Sequence, residues 1–200
     1  MKFKFNFIFY VLTIVGIFNY SPLLIAQNNR LITDKSAGVV WVDMPISYAL
    51  NYLEKEYRTE LYAISYCRTF EPEGGAGRII IKYFDDVIMA FYSEEDNKFK
   101  FIINNNARIE QITVYDSTYK TKEGIYPGML IKDAEKKIGK LVEIVMSDDG
   151  SGQYAEFSKM PKGITLKVFG APFEEMEKGK RRFKTFEKDA KITSISISKY

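Results

Sequence analysis

Histidine is absent from the 200-residue chain, and cysteine occurs once, at Cys67. The first absence removes a Ser-His-Asp or Cys-His catalytic pair, a His-ligated zinc and any imidazole acid or base. The second removes an intrachain disulfide and a thiolate metal cage. No Gly-x-Ser-x-Gly elbow is present, and a nucleophile without His would need Lys, Asp or Glu as its base. The expectation is therefore a chain that is not an enzyme and carries no cofactor and no metal. What is present is ordinary globular material, 46% hydrophobic, 15% aromatic and 28% charged. That is enough to bury a normal core.

The first 26 residues differ from the rest. Lys2 and Lys4 begin the chain, Phe7 to Phe18 is an almost unbroken apolar run, and Leu24-Ile25-Ala26 precedes Gln27. Basic, apolar and small-residue regions in that order are the layout of a secretory signal peptide, with Ala26 before the cut. The rival is an uncleaved anchor, but a spanning helix needs about 20 apolar residues and this run is shorter. Leu24 is larger than the usual small residue at its place, so the cut site is less sharply defined. No Cys lies near it, which argues against lipoprotein attachment. Residues 1–26 read as a signal peptide, and the mature protein as periplasmic or secreted with no stable membrane anchor. Of the 29 basic residues Lys2 and Lys4 leave with that segment and no acidic residue does, so 27 face 26. That balance gives no electrostatic reason to bind nucleic acid or an anionic membrane. Cys67, near Ile64, Tyr66 and Phe70, reads as a buried structural thiol.

The mature chain reads as two copies of one unit, residues 36–116 and 117–200. Met44, Ile46, Ala49 and Leu53 match Met129, Ile131, Ala134 and Ile138 at a spacing of 85. At the ends of the copies, Ala107-Arg108-Ile109 through Val114 matches Ala190-Lys191-Ile192 through Ile197 at a spacing of 83. Each copy opens on a Gly-containing lead-in and a short amphipathic helix. Ile46, Ala49, Leu50, Leu53 and Tyr57 make the first stripe, with Pro45 tolerated in the first turn. Ile131, Ala134 and Ile138 make the second, and Gly139 supplies a left-handed terminator.

Strands follow. In copy one they are Ala63-Thr69, Arg78-Phe84, Val87-Tyr92, Phe99-Ile103 and a closing Ile109-Tyr115. In copy two they are Val142-Ser147, Gln153-Ser158, Ile164-Phe169, Arg182-Phe186 and a closing Ile192-Lys199. Glu73-Gly74-Gly75, Asp85-Asp86, Asp96-Asn97, Asp148-Asp149-Gly150 and Pro161-Lys162-Gly163 supply the turns. A helix followed by a run of strands joined by tight turns, twice over, is an α+β plan with roughly four-stranded antiparallel sheets.

The stretch Gly124-Ile125-Tyr126-Pro127-Gly128-Met129, a helix, then Ile138-Gly139-Lys140 resembles the "Gly-Met, short helix, Leu/Ile-Gly" signature of the β-lactamase inhibitory protein superfold. Small outer-membrane assembly lipoproteins of the SmpA/OmlA type share it. In tandem form the resemblance implies two helix-plus-sheet units whose sheets join into one curved surface. Three departures matter. Asp43 stands where the first copy would have its second Gly, no acylated Cys follows the signal, and Lys140-Leu141 replaces the Pro that commonly follows the helix-ending Gly.

Several groups have a plain structural explanation. Asp148-Asp149-Gly150-Ser151-Gly152 lacks the spaced acids and distal Glu of a calcium loop and reads as a hairpin turn. Gly74-Gly75-Ala76-Gly77 lacks the Lys-Ser/Thr and helix of a phosphate cradle. The pairs Asp85-Asp86, Glu94-Glu95 and Glu174-Glu175 would point to opposite faces of a strand. Lys178, Lys180, Arg181, Arg182 and Lys184 follow Glu174, Glu175 and Glu177 and read as a solvated hairpin. The expected function is binding of a protein partner through one sheet face. Val87, Met89, Phe91, Ile164, Leu166, Val168, Ile195 and Ile197 form the core set. The opposite set, Lys82, Tyr92, Lys100 and Tyr115 with Tyr154, Glu156, Lys167 and Phe169, is polar and aromatic. From it Tyr92, Tyr115, Tyr154, Lys167 and Phe169 are the candidate binding face. The alternatives are an envelope structural or assembly factor and a His-free hydrolase.

Overall fold

The computed structural model describes residues 30–56, 63–68, 77–83, 86–93, 106–148, 150 and 152–199. In chain order the elements are β1 (Leu31–Ile32), β2 (Ser36–Ala37), β3 (Val40–Trp41), α1 (Ile46–Glu56), β4 (Ala63–Arg68) and β5 (Gly77–Tyr83). Next come β6 (Asp86–Ser93), β7 (Gln111–Val114), β8 (Lys120–Thr121), α2 (Ile131–Ile138), β9 (Leu141–Met146) and β10 (Gln153–Phe157). The chain closes with β11 (Ile164–Phe169), α3 (Phe173–Glu177), β12 (Arg182–Phe183) and β13 (Lys191–Ser198). The fold is α+β, with two sheets. No helix among the described residues is long and apolar enough to cross a membrane.

Nine strands form one sheet in the order β12-β9-β10-β11-β13-β7-β6-β5-β4. Every neighbouring pair in it is antiparallel. Residues directly opposite each other share a face, so the register gives the two faces row by row. One row runs Phe183, Ile144, Ala155, Leu166, Ile195, Val114, Met89, Ile81, and all eight side chains are buried. A second runs Ile164, Ile197, Ile112, Phe91, Ile79, also buried. Ile46, Ala49 and Leu53 of α1 and Ile131, Ala134 and Ile138 of α2 join the same cluster, so both helices pack on this face. An eight-residue helix such as α2 is not stable alone in water. Its buried stripe holds it.

Bonds at the helix entrances recur at the spacings of 85 and 83. Asp43 N–H donates to Ile109 O at 2.7 Å, as Gly128 N–H does to Ile192 O at 2.7 Å. Ile109 N–H donates to Met44 O at 3.0 Å, and Ile192 N–H to Met129 O at 2.9 Å. Ile46 N–H to Ala107 O and Ile131 N–H to Ala190 O are both 2.9 Å. At the centre of the sheet Thr113 faces Ser196, with Ile112 opposite Ile197 and Val114 opposite Ile195. The Thr113 and Ser196 hydroxyls share a buried 2.9 Å hydrogen bond.

The second sheet has the order β3-β2-β1-β8, with β1 and β8 parallel. Its Ile32, Ala37 and Val40 belong to the same core.

The structure departs from the sequence reading in several places. Arg182-Phe186 is a strand only over Arg182–Phe183, the two residues paired with β9. Glu174 and Glu175 lie in the helix α3 and not in a hairpin loop. Val87 is half-buried and not core. Gly139 ends α2 at the expected positive φ, 81, but its ψ of −177 is the extended mirror-image conformation and not the left-handed helical one. The Phe99-Ile103 strand and the Gly74-Gly75-Ala76 loop fall outside the described residues, as do residues 1–29 and the Cys67 side chain.

Candidate binding face

The rows between the core rows define the other face of the sheet. One runs Val145, Tyr154, Lys167, Ser194 across four strands. Tyr154 and Lys167 are therefore direct cross-strand partners, both half-buried. Gly152 lets them converge. A Cβ there would stand 2.6 Å from Lys167 Cε, 3.1 Å from its Nζ and 3.3 Å from the Tyr154 hydroxyl. Phe169, two residues past Lys167, is 63% exposed. With Lys167 and Gly152 it lines a cavity of about 240 Å³.

Tyr92 and Tyr115 belong to the other half. The Tyr92 backbone lies between Arg78 and Gln111 in the register, and its side chain is outside those described. Tyr115 is half-buried just past β7, with its N–H donating to Ile88 O at 2.9 Å. It lines a separate cavity of about 750 Å³ at that end of the central strands. Thus Tyr154, Lys167 and Phe169 form one group, and Tyr115 stands apart from it. Lys82 is half-buried, Glu156 is exposed, and Lys100 is outside the described residues.

The centre of this face is more buried than alternation suggests. Thr113 and Ser196 are occupied with each other, and Ser194 is 1% exposed with no partner for its hydroxyl. Two Ser-x-x-Lys spacings occur, at Ser117/Lys120 and Ser196/Lys199. Neither makes a serine–lysine dyad. Lys120 lies over the Tyr126 ring, while Lys199 Nζ donates to Asp43 Oδ1 at 2.9 Å.

Three of the five basic residues in the cluster are paired with acids. Lys180 meets Glu175, Arg181 meets Asp148 and the Ser147 carbonyl, and Arg182 Nη1 lies 2.7 Å from Glu143 Oε1. Arg182 thereby offsets the like charges of Glu143 and Glu156, which face each other across β9 and β10. The Asp148 segment is a turn, with Gly150 N–H donating to Ser147 O at 3.0 Å.

One feature was not singled out in the sequence. Tyr48 and Tyr52, four residues apart on α1, are exposed beside an exposed Trp41, whose ring centroid is 6.5 Å from that of Tyr52. Their spacing, opposite the Ile46/Ala49/Leu53 stripe, was the available signal. Asp43 keeps φ 74, the one positive φ at a non-glycine among the described residues. The hydrogen bond from Lys199 holds its carboxyl below the ordinary carboxylate range, against a smaller opposing effect of burial, with the charges of Lys199 and Arg108 adding to it.

No family model matches the sequence, and no curated protein does. Among solved structures the chain is similar to the crystal structure of the uncharacterized protein yfeY from Escherichia coli. The TM-score is 0.57 at 14% identity, covering 84% of this chain and 99% of that one. At that identity the likeness shows the fold alone.

Proposed function

We propose that the protein is an exported, non-enzymatic binding module that recognises a protein partner through the face of the nine-stranded sheet opposite its helices. The observation that carries this reading is the division of the sheet. The helices pack on one face, and Phe169 stands 63% exposed beside Tyr154 and Lys167 on the other. Large aromatics with a cationic neighbour give wide contact area at low rotamer cost. Residues 1–26 act as the signal peptide. The two units are copies of one ancestor joined at the Thr113–Ser196 pair, an arrangement like the tandem inhibitory-protein fold. The recurring bonds at the helix entrances support the duplication.

The test is capture of a partner by purified mature protein and by two variants. Tyr92, Tyr115 and Phe169 changed together to Ser should abolish capture. So should Lys167→Glu with Phe169→Ser, which leaves the core untouched. Unchanged capture by either variant, with a native circular dichroism spectrum, would place the site elsewhere.

A further inference from the structure

The two helix entrances share their hydrogen bonds but differ in what they carry. At the first, the Asp43 carboxylate takes Lys199 Nζ at 2.9 Å, and Arg108 Nη1 donates to the Asp43 carbonyl at 2.7 Å. Moved by the same spacings, Asp43 becomes Gly128, Arg108 becomes Lys191 and Lys199 becomes Asp116. The ion pair that fills the first position is thus not repeated at the second. Gly128 has no side chain, and a Cβ built there would meet no atom within 4 Å. Asp116 instead faces Arg30, at 3.4 Å.

The cavity of about 750 Å³ lies at this second position. Its volume is in the range of small-molecule sites. Its charged lining is balanced, Arg30 and Lys191 against Asp86 and Asp116, with Ile88 and Ile192 among its apolar walls. Among the described residues Lys191 and Asp86 enter no ion pair. A ligand of one sign would be repelled by half of that lining. One bearing both signs can satisfy it.

We propose that this cavity binds a small zwitterion with an apolar body, an amino acid or short peptide, with its carboxylate at Lys191 and its ammonium at Asp86. The ligand supplies at the second entrance the two charges that the chain itself supplies at the first. The site adjoins the proposed protein-binding face, with Tyr115 at its margin and Phe169 directly opposite Lys191 across β11 and β13.

The probe is the dipeptide alanyl-leucine, titrated into full-length mature protein at low salt and followed by amide chemical shifts. Saturable binding with shifts at Gly128, Lys191 and Ile192 is expected. N-acetylation or C-amidation should each weaken it roughly three- to tenfold. Gly128→Asp, which places a carboxylate beside Lys191, should abolish binding and keep a cooperative thermal transition at a lower temperature, because φ 93 strains any non-glycine residue there. Lys191→Gln should weaken binding as C-amidation does, so the test stands even if Gly128→Asp fails to fold. Tyr154→Ser, two strands from Lys191 and outside the cavity lining, should leave dipeptide binding unchanged, which separates this site from the face. No saturation by about 10 mM would overturn the proposal. Equal binding of the doubly blocked dipeptide, or indifference to both Gly128→Asp and Lys191→Gln, would do the same.

Discussion

Asp43 holds a backbone conformation that its side chain resists. At φ 74 a non-glycine residue is strained by about 1–3 kcal/mol, although Asp tolerates the region better than most. The surrounding bonds hold it there, because its N–H and C=O are both engaged, by Ile109 and Arg108. Asp43→Gly should therefore keep or raise stability in urea unfolding, since the strain relieved outweighs a solvent-screened ion pair. Asp43→Ala, which keeps the strain and loses the carboxylate, should be the less stable of the two. The folded carboxyl titrates below its ordinary range, so its contribution is present above about pH 4 and fades as pH falls through the folded value. Lys199→Ala should move the Asp43 titration upward, read by carboxyl NMR. The sequence shows Asp43 where Gly128 stands at a spacing of 85. It does not show that the backbone keeps glycine's conformation regardless, since neighbouring hydrogen bonds impose that.

A second residue-scale expectation concerns Thr113 and Ser196. Thr113→Val leaves the Ser196 hydroxyl buried without its partner and should cost about 1–3 kcal/mol. Adding Ser196→Ala should recover most of that loss, because no stranded polar group then remains.

Among the elements, length and periodicity decided what could be read. The strands β11 and β13 are long enough for alternation to mark one buried face, and both principal helices carry a stripe at helical spacing. The two-residue strands β1, β2, β3 and β8 have no pattern of their own. They exist through pairing, including the parallel contact between β1 and a β8 some 90 residues later. The five residues of α3 bury no side chain, so no periodicity marked them. The entrance to α2 was legible because its anchors are core residues: Met129 is 4% exposed and Ile131 fully buried. Met129→Ala should destabilise by roughly 2–5 kcal/mol, measured by denaturant midpoint. A loss below about half a kcal/mol, smaller than any buried truncation of this kind, would mean that the Gly-Met segment does not anchor the helix.

At the scale of the molecule, alternation assigns side chains to a face but not to a depth. Thr113, Ser194 and Ser196 lie on the face opposite the helices, yet they are buried on the central strands of a nine-stranded sheet. The wider, more exposed group of Tyr154, Lys167 and Phe169 sits off centre, and Gly152 makes the Tyr–Lys convergence possible. The joining of the halves through β7 and β13 also depends on which strand edges meet, and no local pattern encodes that. The proposed function requires a partner to dock on this face and not on the helix side. Site-specific photo-crosslinking in living cells tests it most directly, with a photoreactive phenylalanine at Phe169 on the face and at Tyr48 on α1. The account predicts a crosslinked band of defined mass from position 169 and none from position 48. A defined band from position 48 with none from 169 would contradict it.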